Sequence, residues 1–363
     1  MKNRFMEKLV LALMTMALLG GCAAPSPTEG STTMANSEVS LEGSPEDKTE
    51  DAKPEATDMG TEEKQEEKES SAAEVKVSNR EAIVSYAGEP FEKSVFAVGG
   101  ERLWLYGVKE EENFFLGYMG KEEDVFQEVD VKPGEDMRAF NMVVDRQGRC
   151  HILWMSVQKV TRDGHEFDQI TFEGSCITIV DSDGKEEKEI DVSGIFSEEQ
   201  PRPYCFVVDE AGNYYFEKGR QLIQILPDGT QGETIQCSGW IEGIGIGKSG
   251  SVYCTSEQEG GTVILEKLEG GELRMCSDQL PKANAIYAGI YGGTDTELLL
   301  LNKDSGVFAV RDSDGSVETR IAVTQMPVTG EKIGGYGILA DGRVCILSQM
   351  EGGTVLYYIP AGK

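Results

Sequence analysis

From residue 81 to the end of the chain, apolar residues alternate with polar ones in short runs rich in Val, Ile, Tyr and Phe, and Gly, Asp or Asn closes most of them. Alternation with a period of two places every second side chain on one face, which is the pattern of a half-buried strand. The closing residues supply the tight turns between strands. No stretch in this region carries a convincing amphipathic helical pattern, so the reading is all-β.

The runs recur as a unit of two apolar strands joined by a Gly-containing turn, a variable loop, and two more strands joined by an Asp/Gly turn. Residues 206–235 are the clearest copy: Val207-Val208, the turn Asp209-Glu210-Ala211-Gly212-Asn213, Tyr214-Tyr215-Phe216, residues 222–226, Pro227-Asp228-Gly229, and residues 233–235. The equivalent first-turn positions are Val98, Asp145, Asp209, Gly247, Gly292 and Leu339, spaced on average about 48 residues apart, which suits propeller blades of roughly 40 to 50 residues. A four-stranded sheet cannot bury both faces alone, whereas blades arranged about an axis bury each other. The prediction is a six-bladed β-propeller of four-stranded antiparallel blades. Its last copy has three strands, and residues 82–86 form a spare strand that would complete it and tie the two ends of the ring together.

The Asp-x-x-Gly-Asn-x-Tyr pattern at Asp209 to Tyr215, followed by Pro227-Asp228-Gly229, resembles the NHL-type repeat of six-bladed propellers. That resemblance implies a binding platform more often than a defined reaction.

The N-terminus reads differently. Lys2, Arg4 and Lys8 precede an apolar run over residues 9–19, too short for a spanning helix of about 20 residues and suited to a signal peptide over residues 1–21. Leu19-Gly20-Gly21-Cys22 directly behind it resembles the bacterial lipobox. The resemblance implies diacylglycerol on Cys22 and a membrane anchor made of lipid. Residues 22–80 hold 15 acidic and 6 basic side chains and no aromatic, a composition that cannot form a core and predicts a disordered acidic linker. The whole resembles a surface lipoprotein of Gram-positive bacteria, held on the extracytoplasmic side of the cell membrane.

Charge narrows the partners. The chain has 64 Asp and Glu against 34 Lys and Arg, a net charge of −30, which excludes nucleic acid binding by mass positive charge. A monomer is expected. With two His in all, a multi-histidine metal centre is not expected either, and neither a Gly-x-Ser-x-Gly elbow nor a phosphate loop is present. No cofactor is implied.

Asp181-Ser182-Asp183-Gly184 and Asp312-Ser313-Asp314-Gly315 place carboxylates close together, but at hairpin turns and without the register of a calcium loop. The seven cysteines of the domain lack a Cys-x-x-Cys pair, so zinc held by thiolates is not expected. Buried structural thiols are the main reading, and disulfides between neighbouring blades an alternative. His151, in an apolar strand, reads as a satisfied interior histidine.

The candidate recognition residues fall where blades connect and where one hairpin is enlarged. They are Arg138 and Phe140, Arg202 and Tyr204, Trp240 and Glu242, Tyr287, Tyr336, and His165 at the tip of the long hairpin between Asp145 and Asp209. Counting five residues back from each first-turn position gives Lys93, Phe140, Tyr204, Glu242, Tyr287 and Gly334, which would encircle one axis. Aromatic platforms with a few charges suit a glycan, a peptide or an envelope protein; the competing reading packs these rings between blades. A second function class is a propeller hydrolase or lyase acting on glycan, with Glu242, His165 and Arg138 converging on the opening. A third is a scaffold for an envelope complex.

Overall fold

The computed structural model describes residues 93–110, 113–120, 126–131, 134, 136–162, 164–196, 205–247, 249–278, 280, 287–291, 297–302, 305–311, 313–327, 333–339, 343–350 and 353–359. The predicted signal peptide, Cys22, the acidic linker and the strand expected at residues 82–86 lie outside the described residues.

Six antiparallel sheets follow one another along the chain. The first contains β1 (Lys93–Gly99), β2 (Arg102–Glu110), β3 (Asn113–Gly120) and β4 (Gln127–Glu128). The second contains β5 (Met137–Val144), β6 (Cys150–Arg162), β7 (His165–Val180) and β8 (Glu186–Asp191). The third contains β9 (Phe206–Val208), β10 (Tyr214–Lys218), β11 (Gln221–Ile225) and β12 (Gln231–Gln236). The fourth contains β13 (Trp240–Ile246), β14 (Val252–Glu257), β15 (Val263–Glu269) and β16 (Glu272–Ser277). The fifth contains β17 (Tyr287–Tyr291), β18 (Glu297–Asn302), β19 (Gly306–Arg311) and β20 (Val317–Ala322). The sixth has three strands among the described residues, β21 (Ile333–Ile338), β22 (Val344–Met350) and β23 (Gly353–Ile359).

Each sheet packs its apolar faces against the next. Trp104, Tyr106 and Trp154 fill the space between the first and second sheets, and Phe206, Tyr214 and Phe216 that between the second and third. Leu339, Leu347 and Tyr358 of the sixth sheet pack on Phe96, Leu103 and Leu105 of the first, so the ring closes. Burial of such side chains contributes about 1.5–3 kcal/mol each, which is why a ring of small sheets holds together where one sheet would not. First strands line the inside, with β1 lying against both β5 and β21. The architecture is the six-bladed β-propeller that the repeat spacing predicts.

Four of the six first-turn positions do their predicted work, while Val98 stands inside β1, paired with Leu103. The N–H groups of Asp145, Asp209, Gly247 and Leu339 each donate to the carbonyl four residues on, at 2.9 to 3.0 Å. Asp145 and Asp209 reinforce the turn in the same way: one carboxylate oxygen accepts the N–H groups two and four residues later, while the other meets side chains four and six residues later. Those side chains are Arg149 and His151 in one copy and Asn213 and Tyr215 in the other. Asp181 caps its own turn through the N–H groups of Asp183 and Lys185 at 2.8 Å, which agrees with a turn role for that acidic pair. Gly292 lies outside the described residues.

Glycine permits the closest approach across the seam. A Cβ built on Gly337 of β21 would stand 2.4 Å from the Cβ of Val98 on β1, and one on Gly335 would stand 2.8 Å from that of Phe96. Gly337→Ala must push the sixth blade off the first, at a cost of about 1–3 kcal/mol. Urea unfolding would show this as a lower midpoint, and an unchanged midpoint would mean that the two inner strands can separate without loss.

Candidate functional site

The inner strands share a local irregularity that a strand pattern does not reveal. In β5, β13, β17 and β21 the pairing with the next strand slips by one residue near the start, leaving Phe140, Glu242, Ala288 and Gly334 as the extra residues. Such a bulge bends the strand and re-aims a side chain, and bulges concentrate at rims and sites. Phe140, Glu242 and Gly334 are three of the positions reached by counting back from the turns. In the fifth blade the bulge falls on Ala288, one residue beyond Tyr287.

At the bulge in β13 the re-aimed side chain is a carboxyl group. Glu242 is half-buried and lies within hydrogen-bonding reach of Glu257, at the end of β14, with Glu217 of β10 also close. Burial, then the charges of Glu257 and Glu217, raise its pKa from 4.5 to about 7. Below neutral pH, Glu242 therefore keeps its proton in the folded chain. Glu217 is itself 7% exposed. Trp240, the cross-strand partner of Glu257, is 50% exposed, and its ring lies over Gly219 in the turn between β10 and β11. The N–H of Ile241 donates to the Gly219 carbonyl at 2.8 Å, which fixes the start of β13 against the third blade. An aromatic face, a protonated carboxyl and two further carboxyl groups thus meet where the third and fourth blades join.

The enlarged hairpin rises at the same end of the blades. β6 and β7 continue beyond the start of β5 as a two-stranded arm in which Ser156 to Arg162 pair with residues from Thr171 back to His165. Gly164 at its tip has φ 80°. His165 is exposed there, with its ring centroid 6.4 Å from that of Phe167.

The remaining candidates divide. Arg138 stands beside the Tyr106 hydroxyl, whose pKa burial pushes to about 12 and Arg138 pulls back; its guanidinium also donates to the Met137 carbonyl at 2.9 Å. Phe140 packs on the core between the second and third blades, and Tyr336 on the core between the fifth and sixth, as the packing reading holds for these two. The backbone of Tyr287 is described as the first residue of β17, while Arg202 and Tyr204 lie outside the described residues. The second function class calls on Glu242, His165 and Arg138, whereas the carboxyl group within hydrogen-bonding reach of Glu242 is Glu257. Its acid pair is instead Glu242 and Glu257.

His151, 1% exposed, takes the interior role expected of it. One ring nitrogen lies 2.9 Å from the Tyr214 hydroxyl and the other 3.2 Å from the Asp145 carboxylate. The seven domain cysteines are all free thiols.

The raised acid gives a pH signature. Below about pH 4.5 both folded and unfolded chains hold the Glu242 proton; between 4.5 and about 7 only the folded chain does. The unfolded state then binds fewer protons, so this group lowers stability as pH rises through that window. Glu242→Gln should flatten the dependence, most visibly in urea midpoints compared at about pH 5 and about pH 8. Parallel curves for both proteins would show that the carboxyl is not held in its neutral form.

No protein-family model matches the sequence, and no curated protein matches it. Among solved structures, a gluconolactonase from Xanthomonas campestris aligns at 14% identity over 79% of this chain and 96% of its own, with a TM-score of 0.47. A protein of unknown function from Bacteroides thetaiotaomicron aligns at 14% identity over 79% and 73%, with a TM-score of 0.46. An aldose sugar dehydrogenase from Streptomyces coelicolor in its PQQ-bound form aligns at 9% identity over 78% and 97%, with a TM-score of 0.44.

Proposed function

We propose that this chain is a lipid-anchored, extracytoplasmic binding propeller that recognises a glycan or peptide at the end of the ring where the inner strands begin. The observation that carries the reading is Trp240, an exposed ring beside the Glu217, Glu242 and Glu257 carboxyl groups. A tryptophan face takes the apolar side of a sugar or an aliphatic side chain, while carboxylates accept bonds from hydroxyl, amide or ammonium groups. The lipobox at Leu19 to Cys22 and the acidic linker support the anchor and the reach of the domain away from the membrane.

A glycan and peptide array probed with the full-length protein tests this directly. Binding that falls at least tenfold in Trp240→Ala and changes with pH in the wild type but not in Glu242→Gln is the expected result. Binding unchanged by either substitution moves recognition elsewhere, and no binding favours the scaffold reading. The acid pair also supports a hydrolase acting on glycan, because a carboxyl with its pKa raised to about 7, within hydrogen-bonding reach of a second carboxyl group, is suited to a general acid or base role. Release of reducing ends from the bound glycan, abolished by Glu242→Gln, separates catalysis from binding.

A further inference from the structure

Three buried side chains that sequence spacing keeps apart meet between the third and fourth blades. Cys237 follows β12, its N–H fixed to the Arg220 carbonyl at 2.8 Å. Cys254 on β14 and Glu266 on β15 are direct cross-strand partners. The two sulfurs and a Glu266 carboxylate oxygen all lie within 4.8 Å of one another. That carboxylate is 3% exposed. It accepts a 2.6 Å bond from the Ser256 hydroxyl and stands 3.9 Å from the Cys254 sulfur, and no Lys, Arg or His reaches it among the described residues. A carboxylate removed from water without a cation costs several kcal/mol, so the pocket has the chemistry of a site that lacks its positive charge.

We propose that Cys237 Sγ, Cys254 Sγ and the Glu266 carboxylate bind a thiophilic divalent cation, zinc by preference. Two thiolates and one carboxylate are a zinc donor set, and the separations lie within small side-chain rotations of a coordination shell. Each thiol binds as thiolate and gives its proton to solvent, so the ion's two positive charges meet three negative ones. Ser256 holds the carboxylate in orientation. The cation would staple two blades immediately before the short link that delivers Trp240.

The test is the metal content of the full-length chain made in zinc-supplemented medium and purified in detergent. About one zinc per chain is expected, lost in Cys254→Ser, weakened at least tenfold in Glu266→Gln and kept in Cys345→Ser, a buried thiol on the sixth blade. Refolding in cadmium should add a thiolate-to-metal absorption band in the wild type, absent from Cys254→Ser. Should that variant fail to fold, Glu266→Gln, which keeps the volume, and the cadmium band of the wild type read the site between them. A chain that carries no zinc and develops no band on refolding with cadmium overturns the proposal. So does a Cys237–Cys254 disulfide found by mass spectrometry, or equal zinc in wild type and folded Cys254→Ser.

Discussion

Asp145→Ala is expected to cost about 3–5 kcal/mol of folding stability, as loss of one member of a buried charged network does. The carboxylate accepts the N–H groups of Gln147 and Arg149, the Arg149 Nε at 2.7 Å and a ring nitrogen of His151. Removing it strands all four, and His151 then holds only the Tyr214 hydroxyl, its link to the third blade. Burial alone would raise the Asp145 pKa, yet the bonds from His151 and Arg149 outweigh it and hold the group at about 2, below its ordinary 3.8. A depressed carboxyl stabilises above its unfolded value, so this contribution is complete above about pH 4 and disappears as pH falls through about 2. Equilibrium urea denaturation at neutral pH reads the loss. A change below about 1 kcal/mol would show that water can replace the carboxylate.

Trp154→Ala should cost a similar amount, about 3–5 kcal/mol, for a different reason. The indole is 1% exposed and meets the Tyr106 ring edge-on at 5.6 Å between the first and second blades. Its N–H donates to the Thr178 hydroxyl at 2.9 Å. Truncation leaves a cavity that neighbouring strands cannot fill without losing their own pairing, and leaves the Thr178 hydroxyl without its donor. Trp154→Phe should recover much of the loss by restoring volume, although not the hydrogen bond. Thermal unfolding of the three proteins side by side checks the order, and Trp154→Phe melting with Trp154→Ala would assign the effect to the hydrogen bond rather than to the space.

What could be read from the chain alone follows from which forces are local. Asp145, Asp209 and Leu339 mark turns because a tight turn places its demands on neighbouring residues, and those demands are met by Asp and Gly in any blade. The blade count followed from their spacing. Counting back from the same turns also reached Phe140, Glu242 and Gly334, since a bulge sits at a fixed distance from its turn when the intervening strand is regular. In the fifth blade the count reaches Tyr287, one residue before the bulge at Ala288.

Contacts between blades carry no such local mark. Glu217 and Glu257 belong to different sheets, and nothing in their own surroundings in the sequence announces that Glu242 will stand beside both. The same cause hides Cys237 and Cys254 from each other: a search for closely spaced cysteines passes over the pair, which packing of the end of β12 against the fourth blade brings together. A signal was available in the hairpin of β14 and β15, where turn placement makes Cys254 and Glu266 opposite residues on one face. An acidic residue placed opposite a cysteine across that hairpin is the detail that points there.

The arm formed by the outer parts of β6 and β7 has seven paired residues on each side, a reach of roughly 20 Å at the usual rise per residue. An isolated ribbon of two strands has little stability of its own, whereas the strands beneath it are locked into a closed ring. A protease acting under native conditions should therefore clip the arm near Gly164 first and leave the remaining body intact, held by the same strand pairings that span the nick. The protein would then behave as a rigid wheel with one detachable finger, and the contribution of that finger to recognition could be measured without altering a single codon.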